Sequence, residues 1–448
     1  MPTPSLILVP ARFKSGKLYT QVATTTGGVV LGSSGDFTVG RLLNTATRVN
    51  SNGNIEVVNA NIPRLDYYTS GGTAGCPALL VEPSGSNLAF HSETWASGNN
   101  WTLDAVTRVT GSTSAFLAPD GTFTANALSP TSANVFHGLY SNSSTQNTYI
   151  SGTIYTQSAF FKQGTGVAGR YVQLTYTGGG QFTQNGYANF DLQLGTVAVV
   201  SGTSADTNRA ARIENYGNGW YRCSFTATCN AAGNGIGVLP VLVNASGNTR
   251  AQSFAGVTGD ILYGWGAQLE TGSVATSYIP TTTAAVTRNA DVINLSGAVS
   301  GCIGQTEGTM YLDFIFRRPR IDVAGLCAIS STNFQNRLSF WNNISFNTIA
   351  VSLAANNASV FNISVGTLTE GTRYKLAIGY KTGNSAIFLN GVQVGSTRTD
   401  AFTFSTSLVA IFLGTYETGI NTITNTGINA FTLYTTRLTN AELASLTA

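Results

Sequence analysis

Apolar and polar positions alternate with a period of two over short runs, and glycine-rich turns separate the runs. Residues 155–161, 170–176 and 188–194 show this in the first half of the chain, and 309–316 and 374–380 in the second. Such alternation, bounded by Gly and Asn, predicts β-strands with one buried face. Residues 217–226 predict a turn followed by an aromatic strand. Residues 374–380 and 385–394 predict a hairpin across 381–384, with a second turn at Asn390-Gly391. One short helix is predicted after the strand at 428–434. There Thr439 can serve as the N-cap, and Glu442, three residues on, completes a capping box.

The runs divide the chain into three parts. Residues 1–90 carry strand-like runs at 5–9, 17–22, 46–50 and 55–58, with too little continuous apolar pattern for a core of their own. This predicts an extended N-terminal adaptor ordered by partners or by intertwining with copies of itself. Residues 91–285 predict a first β-sandwich of about ten strands. Its last strand, around Ile261–Trp265, gives way to Pro280 and a Thr-rich leash. Residues 286–448 predict a second sandwich. The expected fold is therefore all-β, with two tandem antiparallel β-sandwiches after the adaptor. A chain starting near residue 91 is expected to stay folded and to lose only attachment.

Four stretches carry a family resemblance. The pattern W-G-x-Q-L-E-x-G-x-x-x-T-S-Y-I-P-T over residues 265–281, followed by T-R-x-A-D at 287–291, resembles the close of a jelly-roll module in tailed-phage fibres and spikes. A-T-R-V-N at 46–50, P-R-L-D-Y at 63–67 and L-L-V-E-P-x-x-x-N-L at 79–88 resemble the segment that precedes it in the same proteins. N-G-W-Y-R at 218–222 is similar to carbohydrate-binding jelly rolls. F-L-N-G-x-x-V at 388–394 and L-Y-x-x-R-L-T-x-x-E-L at 433–443 resemble the concanavalin A/laminin-G-like sandwich. These resemblances imply a virion-surface protein, trimeric by default and anchored by its N-terminus on a phage capsid or tail protein.

Composition agrees with an exposed β-rich protein. Hydrophobic residues make up 42% of the 448, and charged residues only 10%, against a typical value of about 25%. The formal charge is +3 and the basic residues are scattered, so nucleic acid is not an expected partner. No window holds the ~18 apolar residues of a membrane helix, so membrane insertion is not expected. The opening residues do not read as a signal peptide, because basic positions follow a short apolar run. Synthesis in the host cytoplasm and release within a particle is the expected route. Of the five cysteines, Cys223 and Cys229 could meet across a hairpin, but buried free thiols are the favoured reading.

Catalytic signatures are sparse. His91 and His137 are the only histidines, and neither the hydrolase elbow nor a phosphate loop occurs. In the second sandwich the acids are Glu307, Asp313, Asp322, Glu370, Asp400, Glu417 and Glu442, without the paired-acid strand pattern of sandwich glucanases. Aromatic faces suit the apolar C–H face of a sugar. Trp95, Trp101 and Trp341 sit among Gly and Asn and are the expected glycan-binding residues. Tyr140, Tyr187, Tyr221, Phe340 and Tyr416 are further aromatics to place, while Trp220 and Trp265 read as core. No cofactor is expected. The sandwich families imply a structural calcium, for which Asp104, Asp260 and Glu270 are the acids to check. The resulting expectation is a non-enzymatic phage fibre protein, of head or tail, adhering to bacterial surface polysaccharide. The alternatives are a depolymerase with an active site between subunits and a purely structural decoration protein.

Overall fold

A computed structural model describes residues 1–23, 29–31, 36–43, 45–142, 147–176, 180–182, 186–202, 208–297, 299–317, 324–342, 348–415 and 425–448. The chain is all-β apart from one C-terminal α-helix and two short 3₁₀ turns among these residues.

The first sandwich is contiguous in sequence. One six-stranded sheet runs in the order Trp101–Asp104, Gly138–Ser141, Pro240–Val243, Tyr171–Thr175, Tyr187–Asp191 and Thr196–Ser201. The other runs Val106–Val109, Asn126–Pro130, Leu262–Thr271, Ile154–Gln163, Trp220–Thr228 and Ala210–Asn215. All pairs are antiparallel. Alternate residues meet between the sheets: Val172, Leu174, Ala188, Phe190, Phe161, Phe225 and Leu269 are fully buried there.

The second sandwich is built from both ends of the chain. Its ten-stranded sheet places Leu6–Leu8 beside Thr426–Tyr434, with Leu6 opposite Leu433 and Leu8 opposite Phe431. Ala78–Val81 pairs with the other end of the same strand. In the facing nine-stranded sheet, Phe37–Gly40 pairs with Val292–Ser296. Leu6, Leu8, Leu18, Phe37, Leu79 and Val81 enter one core with Met310, Phe340 and Phe431. The expected free-standing adaptor over residues 1–90 is corrected accordingly. Its runs looked too sparse for a core because their strand partners lie about 250 to 430 residues later in the chain.

Two local predictions hold. Leu389 pairs with Val392 across Asn390 (φ 47°) and Gly391 (φ 83°), a two-residue turn with both centres left-handed. The helix Asn440–Thr447 starts at Thr439: the Glu442 N–H donates to Thr439 Oγ1 at 3.2 Å, and the Thr439 N–H donates to Glu442 Oε2 at 2.8 Å. Leu438 and Leu443 then pack on the outer face of the ten-stranded sheet against Ala377, Phe388 and Tyr434.

Candidate functional site

The three tryptophans separate. Trp95 and Trp101 are buried and stacked on each other, with ring centroids 5.1 Å apart. Trp95 donates its indole N–H to the Ser92 carbonyl at 2.8 Å, and Trp101 donates to that of Phe90 at 3.1 Å. A side chain at Gly264 would lie 2.2 Å from the Trp95 ring, so glycine there admits the indole to the core. The expected sugar contacts at Trp95 and Trp101 are thus corrected. A Gly/Asn-rich loop does not keep an indole exposed when nearby carbonyls can take its N–H.

Trp341 is different. It lies on Arg337–Asn342 in the nine-stranded sheet, where Leu338 and Phe340 point into the core, so alternation sends Trp341 outward. It is half-buried, and its neighbours on the two flanking strands are Gly325 and Ala350. Neither can rise beside the ring. The second row on this face brings Ala328, Ser339 and Ser352 into register. The row at Trp341 is small and neutral, while further along the same face Phe412 lies beside Ala328 and packs on Phe334, and Arg337 alternates outward with Ser339 and Trp341. Tyr140, Tyr187 and Tyr221 are half-buried on the first sandwich, whereas Trp220 and Trp265 are in its core. Tyr416, Asp322 and Glu417 lie outside the described residues.

The residues of the sequence blocks converge elsewhere, at a buried ionic junction. Arg64 donates to Glu82 Oε2 and Ser277 Oγ, each at 2.8 Å, to the Thr47 carbonyl at 3.1 Å, and to both oxygens of Asp291. Arg41 reaches Asp291 Oδ1 at 2.9 Å and the Asn59 carbonyl at 2.7 Å. Glu82 takes the Ser277 N–H at 2.9 Å and its hydroxyl at 2.6 Å. Arg288 stands 3.6 Å from Glu82, and Glu270 takes the Thr276 N–H at 2.8 Å. All three arginines and all three acids are buried. Burial alone would raise the Glu82 pKa, but Arg288, Arg64 and the Ser277 hydroxyl more than reverse this and hold it well below the carboxylate range. Burial lowers Arg288, and Glu82 offsets only part of that.

This junction joins the N-terminal segment, the last strand of the first sandwich and the entry to the second. A buried charge needs a partner. The signal for it lay in single charges set within apolar runs, as in Leu79-Leu80-Val81-Glu82-Pro83, and sequence reasoning did not use it.

Among the described residues, most of the other acids are also matched to cations. Asp313 takes Arg373 in two parallel bonds at 2.7 and 2.6 Å, and Asp191 is similarly held by Arg170. The calcium candidates are not gathered at one place: Asp104 is exposed at the end of Trp101–Asp104, and the other two have protein partners. Glu270 accepts on both oxygens within the junction, and Asp260 takes the Ala168 N–H at 2.9 Å. Among the described residues no three His, Cys, Asp or Glu side chains gather to hold a metal. His137 is buried between the carbonyls of Ala105 and Phe254. The cysteines are unpaired: Cys76 is exposed and the other four are buried.

No family model matches the sequence, and no curated protein matches it. Among solved structures, the NanB sialidase from Streptococcus pneumoniae aligns at 17% identity and a TM-score of 0.28, over 35% of this chain and 26% of that one. The chain thus spans about a quarter of that sialidase. The CBM40 of the Ruminococcus gnavus IT-sialidase, solved with α2,3-sialyllactose, aligns at 14% identity and 0.27, over 32% of this chain and 84% of that one. Domain 4 of AbnA, an extracellular arabinanase from Geobacillus stearothermophilus, aligns at 14% and 0.28, over 39% and 82%. Similarities of this size carry no inference about ligand.

Proposed function

We propose that the chain is a non-enzymatic virion fibre protein of a tailed phage that adheres to glycan on the host surface. The observation that carries the adhesive part is Trp341, an outward indole flanked by the small residues Gly325 and Ala350. An aromatic plane with serine hydroxyls on the same face suits a pyranose, which has an apolar face and a polar rim. The virion part rests on the sequence blocks at 46–88 and 265–291. Assembly as a trimer and attachment to a capsid or tail protein belong to the same reading. Several weak contacts on one particle would then add through avidity.

The test is retention of purified full-length protein on host surface polysaccharide, with Trp341→Ala beside it. Loss of retention in the variant, with polysaccharide chain length unchanged on incubation, is the expected result. Shortened polysaccharide would favour the depolymerase alternative. Equal retention of both proteins would remove Trp341 from the reading.

A further inference from the structure

A cleft of about 550 Å³ lies between the two sandwiches, away from the Trp341 face. That volume falls in the range of small-molecule sites, which often form at domain boundaries. Three separate parts of the chain wall it. The first sandwich contributes the edge strands that hold Val197 and Arg212 to Asn215. The second contributes Ile315 and the turn from Glu370 to Arg373. The N-terminal segment contributes Tyr68, Thr69 and Ser70.

The chemistry of the walls is mixed in a particular way. Val197, Ile213 and Ile315 supply apolar surface. Three guanidinium groups line the cleft, and each is matched to a carboxylate: Arg212 to Glu370, Arg317 to Asp66, and Arg373 to Asp313. The Arg212–Glu370 pair joins one sandwich to the other. The carboxylates are themselves anchored. Asp66 and Asp313 are almost wholly buried, and Asp66 also takes the Val49 N–H at 2.7 Å. Arg317 and Arg373, held by these buried acids, are therefore fixed in advance of any ligand. Arg373 uses two nitrogens on Asp313 while its side chain stays about half exposed, which leaves donors free to face a ligand.

Because the cations are already neutralised, an anionic ligand would gain little from them. A hydroxyl-rich neutral ligand gains more, since each hydroxyl can accept from a guanidinium and donate to Glu370 or Glu214, the carboxylates that line the cleft. The apolar surface matches the C–H face of a sugar ring. We propose that this cleft is a second saccharide site, independent of the Trp341 face, that takes a short uncharged oligosaccharide.

The experiment uses full-length protein and calorimetric titration with maltotriose, cellotriose, xylotriose and lacto-N-tetraose, with trigalacturonate as the charged comparison. Two variants separate the sites. Trp341→Ala removes the indole, and Ser70→Trp fills the cleft from an exposed position without breaking an ion pair. The expected result is that at least one neutral oligosaccharide still binds the Trp341→Ala protein and binds Ser70→Trp at least tenfold more weakly. A crystal of that complex should show the sugar beside Arg373. The proposal is overturned if no neutral oligosaccharide binds the Trp341→Ala protein, if Ser70→Trp leaves binding unchanged, or if trigalacturonate binds more tightly. Binding lost in Trp341→Ala alone would leave the adhesive face standing and dismiss the cleft. Binding lost in Ser70→Trp alone would do the reverse.

Discussion

The two sandwiches are built from similar strands but closed differently. All twelve strands of the first lie between Trp101 and Thr271. The second draws strands from residues 6–8, 17–18, 37–40 and 78–81 and from 292–434. A contiguous sandwich can bury its faces using nearby sequence. The interlocked one is incomplete until the first and last strands meet, so its loop closure spans the whole first sandwich.

The sharpest way to break this comparison is to remove residues 1–82. The expected outcome is loss of a folded second sandwich, because Leu6, Phe37, Leu79 and Val81 leave its core. A fragment of residues 91–285 should keep the two six-stranded sheets. Amide spectra of the two fragments check this, and dispersed signals from a lone 286–448 fragment would refute it.

A smaller effect is expected from Arg64→Ala, which leaves Glu82 and Asp291 without their shared cation. Removing one partner of a buried pair costs roughly 3–5 kcal/mol. Urea unfolding of full-length protein should show that loss in the second sandwich before the first.

Acid should act in the same place. Glu82 is held well below its unfolded value, near ~4.3. Its contribution to stability is therefore complete above that value and falls away as pH drops through it towards the folded pKa. Hydrogen exchange at pH 3 and pH 7 should show protection falling at Ser277 and Asp291 more than within the first sandwich. Equal losses in both would contradict the junction's role.

The smallest effect belongs to the helix. Thr439→Ala removes its cap and should cost about 1 kcal/mol, read as a modest shift in the second sandwich's unfolding midpoint.

What the sequence made legible followed the range of the interaction. The hairpin at Asn390-Gly391 and the capping box at Thr439 depend on residues two or three apart, and both were readable. The alternation at 155–161 and 309–316 reports a buried face and gave the all-β class. Pairing of Leu6 with Leu433 leaves no local trace, because a three-residue strand has too few positions to show a period. The candidate site was less legible. Trp95, Trp101 and Trp341 have similar polar neighbours in sequence, yet only Trp341 stands on an outward face, and that depends on which strand flanks it. The junction charges were in plain sight within the quoted blocks, but their partners lie about 20 to 250 residues away.

The pairing of Leu6–Leu8 with the last strand also sets how the molecule would carry load. Leu6 faces Leu433 across an antiparallel pair, so the chain enters and leaves at the same end of that seam. Tension drawn between these two points opens the rungs one after another, whereas a pull along the strands would load them together. A pull on both ends is thus the weak mechanical direction. A particle that holds this protein by the flank of a sandwich would spare the seam.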